Sequence, residues 1–120
     1  MPKASNLELL QRVQKETNVS IICALKGFSF YRVFPLIRKY LAGATASSLN
    51  EARLAFEEMG EKCHAYTPAY LPAEFEDFMK YASHMTFNSL NQVEQFALQA
   101  QSTGISCGIR INPEYAEVET

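Results

Sequence analysis

Apolar positions along this chain fall into short runs of two kinds that take turns. Leu7, Leu10 and Val13 lie on one helical stripe behind Ser5 or Asn6, either of which can cap a first turn, and Asn18 closes that helix. The continuous apolar run over 19–25 that follows predicts a strand. Val33, Phe34, Ile37, Tyr40 and Leu41 return to helical spacing, and Gly43 marks the exit into a short extended piece over 44–46. Ala52, Ala55, Phe56 and Met59 form the next helical face, opened by the capping box Ser48-Leu49-Asn50-Glu51 and stopped by Gly60. The pattern then predicts a strand at 62–66, a helix carrying Phe75, Phe78, Met79 and Ala82 from near Pro72, and a strand at 84–88. A helix carrying Leu90, Val93, Phe96, Ala97 and Ala100 and a last strand at 105–111 complete it. Strands alternating with helices over short connections predict right-handed crossovers: an α/β fold with five parallel strands adjacent in chain order and helices on the outer face.

An internal echo supports the repeat. TASSLNE at 45–51 and TFNSLNQ at 86–92 share Thr, Ser, Leu and Asn at corresponding places, each at a strand-to-helix junction. Helix capping by Ser48 and Ser89 explains Ser-x-x-Glu and Ser-x-x-Gln without chemistry. In a β/α barrel, however, these junctions lie at the carboxyl face of the strands, where sites are built.

Composition narrows the class. A chain of 120 residues with 48% apolar content can bury the core of one modest domain, and a net charge of −2 gives no electrostatic reason to expect nucleic acid or an anionic membrane as partner. Met1 is followed by no apolar leader, and no apolar run approaches the ~20 residues of a membrane span, so a cytoplasmic location is expected. Cys23, Cys63 and Cys107 are far apart and outside any Cys-x-x-Cys pair, which suits reduced thiols packed as small apolar groups. Cys63 and His64, as neighbours on a strand, point to opposite faces and make a poor ligand pair.

Strand parity identifies the candidate chemistry. In the last strand Ile105, Cys107, Ile109 and Ile111 share the face apt for helix packing, while Ser106, Gly108 and Arg110 take the other. In the first strand Lys26 groups with Ile22 and Ala24, followed at once by Gly27. Lys26 and Arg110 thus both point into one barrel from near the carboxyl ends of their strands. Either alone is also compatible with a solvated cation at a strand tip.

The ordered segments ALKGFS, TASSLNEARLA, YTPAY, FNSLNQVEQF and GIRINPEYAEVET, covering nearly the whole chain, resemble the pyridoxal-phosphate-dependent decarboxylases of the alanine-racemase-like barrel fold. Lys-Gly-Phe after the strand favours the carboxynorspermidine (carboxyspermidine) decarboxylase branch over relatives with Lys-Ala-Asn or Lys-Cys-Asn. The resemblance implies a partial (β/α)8, TIM-like barrel, with residues 1–120 as the N-terminal part of the cofactor-binding domain. It implies that Lys26 bonds the aldehyde of pyridoxal 5'-phosphate, that Arg110 lies close to the cofactor ring, and that Gly27 leaves room for close approach. Thr45 stands where relatives such as ornithine decarboxylase carry an aspartate facing the lysine, so no acidic role carries over. The glycine-rich phosphate loop, the acidic partner of the ring nitrogen, the ring-stacking histidine and a C-terminal β-domain would lie outside these residues. The implied reaction is decarboxylation of a carboxylated polyamine to norspermidine or spermidine by a homodimer, with the fragment inactive alone. A lysine at an enclosed barrel mouth beside another cation loses its charge more readily, as such chemistry needs. His64 and His84 are read as structural. A diaminopimelate or ornithine decarboxylase, an amino-acid racemase, or a non-catalytic α/β scaffold remain the alternatives.

Overall fold

In the computed structural model, which describes residues 4–118, five short strands hydrogen-bond side by side, all parallel and in chain order. They are β1 (Ile22–Ala24), β2 (Gly43–Ala46), β3 (Cys63–Tyr66), β4 (Ala82–Phe87) and β5 (Ser106–Ile109). Between them run α2 (Phe34–Arg38), α3 (Leu49–Leu54), α4 (Pro72–Tyr81) and α5 (Leu90–Ser102), and α1 (Ala4–Thr17) precedes β1. This is the order and direction that the alternation of apolar patterns predicts.

The helices cover one face of the sheet. Leu25, Ala44, Ala46, Cys63, Ala65, Met85 and Phe87 turn into that layer and are buried, along with Phe34, Phe75, Phe78 and Phe96 from the helices. The alternate residues Ala24, Thr45, His64, Tyr66, His84, Thr86 and Gly108 face the open side and are half-buried or exposed. Adjacent strands are held in register by Ala24 opposite Thr45, Thr45 opposite His64, His64 opposite His84 and Thr86 opposite Gly108.

The two echoed junctions fold alike. Ser48 Oγ accepts from the Glu51 N–H at 3.2 Å while Glu51 accepts from the Ser47 N–H at 2.6 Å. Ser89 Oγ accepts from the Gln92 N–H at 3.3 Å while Gln92 accepts from the Asn88 N–H at 3.4 Å. Each pair satisfies two backbone donors at a strand-to-helix corner, and such a cap is worth about 1 kcal/mol.

Several boundaries depart from the sequence pattern. The first strand spans three residues rather than 19–25: Asn18 ends α1 in the left-handed region (φ 55°), and the Ile21 N–H is taken by the Gln14 side chain at 2.7 Å instead of the ladder. The helical face over 33–41 is a 3-10 turn (Tyr31–Val33) leading into the five-residue α2. After α3 the backbone widens into a π-helical turn at Ala55–Met59, in which Ala55 and Met59 are buried while Phe56 is exposed, its ring tilted 52° against that of Tyr81 at 5.4 Å. Gly60 then closes the helix with φ 77°, and a Cβ there would lie 2.7 Å from the Arg38 guanidinium. At the far edge Ile109 is 41% and Ile111 77% exposed, against the alternation that would bury them. No strand or helix among the described residues lies beyond β5 to cover them.

Candidate active site at the carboxyl ends of the strands

Both sequence-derived site residues end at the same rim. Ala24 closes β1, a turn follows in which the Gly27 and Phe28 N–H groups bond the Ala24 carbonyl at 3.1 Å, and Leu25 packs inward. Lys26 therefore leaves the helix layer and stands exposed at the strand tip, in the turn rather than in the strand itself. None of the ion pairs among the described residues involves it. Gly27 is not forced by sterics: a Cβ there would meet only the Ala24 carbonyl, at 3.7 Å.

Arg110 lies one residue past β5, and its backbone N–H extends the ladder to the Phe87 carbonyl at 2.9 Å. Its Nη1 donates to the Tyr66 hydroxyl at 2.6 Å, and that hydroxyl donates to Asn88 Oδ1 at 3.1 Å. Tyr66, Asn88, Arg110 and Asn112 line an open hollow over the ends of β3, β4 and β5. Arg110 reaches the open side of the sheet at Tyr66, and β1, which Lys26 follows, and β5 are its opposite edges, four strand spacings or roughly 19 Å apart. The five strands leave the lysine exposed, so the enclosure that would strip its hydration is not built by these residues. In a closed barrel of eight strands, positions four apart face each other across the lumen.

Below this rim the open face carries a stacked imidazole pair. His64 and His84 lie with ring centroids 3.9 Å apart and planes 15° from parallel. Burial, and then the neighbouring His84, hold the His64 imidazole below its usual pKa. A register shift between Cys63 and His64 sets Ser83 out of pairing, and this brings His84 opposite His64. Ser83 Oγ lies 3.3 Å from the Cys63 carbonyl and 2.9 Å from His84 Nδ1. Thr45 completes the row beside His64.

Sequence parity singled out Lys26 and Arg110, which lie at opposite edges of the sheet, and did not single out Tyr66, Asn88 or Tyr70. Tyr70 is buried behind the rim; its hydroxyl lies 3.0 Å from the Ala65 carbonyl and 3.2 Å from that of Thr86, and its ring meets Phe75, Phe78, Phe87 and Phe96 edge-on. Burial raises its phenol pKa well above the ordinary value. The signals for these residues were the segment YTPAY, which holds both tyrosines, and the echoed segment TFNSLNQ, which holds Asn88. Cys63 is fully buried and its thiol is pushed up to about 11, in line with a structural thiol. No cluster of three or more metal-ligating side chains occurs among the described residues.

The donor set suits a phosphorylated, phenolic ring. A primary amine and a guanidinium with unspent N–H donors stand at the ends of β1 and β5, and none of the open-facing strand residues, Ala24, Thr45, Thr86 and Gly108 among them, is acidic. A Cβ at Gly108 would come no nearer to its surroundings than 3.9 Å, so the face is roomy there.

No protein-family model matches the chain. It is 45% identical over 115 residues to the carboxyaminopropylagmatine decarboxylase of Synechocystis sp., an alignment covering 96% of this chain and 30% of that protein. It is 36% identical to the carboxynorspermidine/carboxyspermidine decarboxylase of Campylobacter jejuni, over 92% of this chain and 28% of that protein. The crystal structure of carboxynorspermidine decarboxylase complexed with norspermidine, also from C. jejuni, superimposes with a TM-score of 0.88 at 36% identity, over 93% of this chain and 30% of that one. The chain is thus a homologue of carboxy(nor)spermidine decarboxylases in sequence and in fold, and spans about 30% of the length of the relatives it matches. Its five parallel strands are consistent with part of their barrel.

Proposed function

We propose that these residues form the lysine-bearing β/α units of a pyridoxal-phosphate-dependent decarboxylase acting on carboxynorspermidine or carboxyspermidine in polyamine biosynthesis. The observation that carries this reading is the placement of Lys26 and Arg110 just past the carboxyl ends of β1 and β5, at one rim of the sheet. The cofactor, when bound, supplies an electron sink for the charge left on the α-carbon as the carboxylate departs as carbon dioxide.

The residues of this chain divide the work around it. Lys26, uncharged, is the nucleophile toward an aldehyde, and its place in a tight turn after β1 fixes its backbone at the rim. Arg110 offers fixed N–H donors to an anionic oxygen. Ala24 and Gly108, with no side chain beyond a methyl, leave the open face free for a planar ring. Neither Lys26 nor Arg110 closes the site alone, so the 120 residues by themselves are expected to release no carbon dioxide. The full reading includes a homodimer in the cytoplasm; among the described residues no helix is long and apolar enough to cross a membrane.

The 45% identical relative favours a second substrate of the same class, carboxyaminopropylagmatine, whose guanidino end replaces an amine. Carbon dioxide release by the protein carrying this chain, assayed on carboxynorspermidine, carboxyspermidine, carboxyaminopropylagmatine, ornithine and diaminopimelate, tests the proposal. Turnover of one of the first three supports it and chooses between the substrates. Turnover of only the last two, or of none, overturns it.

A further inference from the structure

Arg110 reaches the rim on a long, exposed side chain, and such a chain is a poor ligand unless something restricts it, because ordering a free arginine on binding gives up its rotamer freedom. The restriction comes from Tyr66. Arginine has five N–H donors and no acceptor, so at the 2.6 Å contact the Tyr66 oxygen must accept. The phenolic proton is then free to point elsewhere, and Asn88 Oδ1 takes it at 3.1 Å. Asn88 is itself tied down, its N–H bonded to the Gln92 side chain, while Gln92 Nε2 donates to the Pro68 carbonyl at 3.4 Å in the turn that follows Tyr66. Donation therefore runs from the guanidinium past β5 to Tyr66 on β3 and on to Asn88 after β4, which Gln92 ties to the cap of α5.

We propose that Tyr66 is a positioning residue: its hydroxyl, oriented by Asn88, holds the Arg110 guanidinium over the ends of β3–β5 so that the remaining N–H donors face the cofactor's oxygen. This rests on the reading of Lys26 and Arg110 as cofactor residues. Tyr66 touches no reacting atom and acts only through Arg110, whose guanidinium also lies over the phenol ring, Cζ 5.3 Å from the ring centroid. The backbone of β3 is independently secured by its ladder to β2 and β4 and by Tyr70, so Tyr66→Phe removes the bridge without removing the strand.

The test compares the holoenzyme that carries this chain with its Tyr66→Phe, Arg110→Ala and double variants. Tyr66→Phe is expected to weaken pyridoxal phosphate binding, measured by absorbance titration, roughly five- to twentyfold. Lys26 should still be labelled on borohydride reduction, and in the Arg110→Ala background Tyr66→Phe should cost nothing further. In cofactor-free protein, nitrogen NMR should find rotation of the Arg110 guanidinium slow in the parent and free in Tyr66→Phe. Equal rotation in the two, or an equal loss of affinity with and without Arg110, would overturn the proposal. If the parent captures no pyridoxal phosphate, the cofactor reading fails and takes this role with it; the NMR comparison, which needs no cofactor, separates that outcome from failure of the bridge.

Discussion

His64 and His84 stack because β4 carries one unpaired residue, Ser83, opposite β3, which moves His84 from the neighbouring face onto the same row. Two imidazoles in contact cannot both be charged cheaply, and His64 is held below its ordinary pKa first by burial and then by His84. The unfolded chain takes up a proton near 6.5 that the folded chain resists, so acidification favours unfolding. The stability lost on this account begins as pH falls through the unfolded pKa and is complete below the folded one. We expect the thermal midpoint to fall between about pH 7 and pH 5, and the fall to be shallower in His64→Gln, which cannot charge. Parallel declines in the two proteins would contradict this. Parity in the sequence set His64 opposite in facing to the buried Cys63, as observed, but the partnership with His84 rests on the bulge, for which Ser83 gives no sign. The position of Arg110 was legible because alternation along β5 sets its face, whereas Lys26 stands in a turn, where the sequence sets only the strand end it follows. Tyr66 was not legible, since its role depends on a contact between strands whose residues lie 44 apart.

At the scale of elements, the order of strands and helices follows from the apolar spacing because short β/α connections leave one handedness and one direction open. The junction caps at Ser48 and Ser89 were equally readable, since a capping box is a local arrangement. Lengths were less so. Val19 and Ile21 look like strand, yet Gln14 diverts the Ile21 N–H, and the π-helical turn after α3 arises from packing that no local preference encodes. Tyr70 joins β3 and β4 from behind, its single proton shared between the Ala65 and Thr86 carbonyls inside a cage of four phenylalanines. Tyr70→Phe keeps the ring and deletes the hydroxyl, leaving two carbonyls short of a donor, so we expect a loss of about 1–2 kcal/mol with an unchanged denaturant slope. Urea unfolding measures it; a variant as stable as the parent would show that the hydroxyl bridges nothing of consequence.

For the whole molecule, five strands make an open sheet that leaves Ile109 and Ile111 uncovered, with the turn of Lys26 and the end of β5 that carries Arg110 at opposite edges. The α/β class was therefore readable from the sequence, while an apposition of Lys26 and Arg110 was not, because the full width of the sheet lies between them. The lysine at the tip of β1 is where the reading is most exposed to test. Reduction of the pyridoxal-phosphate-loaded protein with borohydride, followed by peptide mapping, locates the amine that holds the cofactor. We expect the phosphopyridoxyl label on Lys26 and its disappearance in Lys26→Ala; a label on Lys39, Lys62 or any other lysine would contradict it.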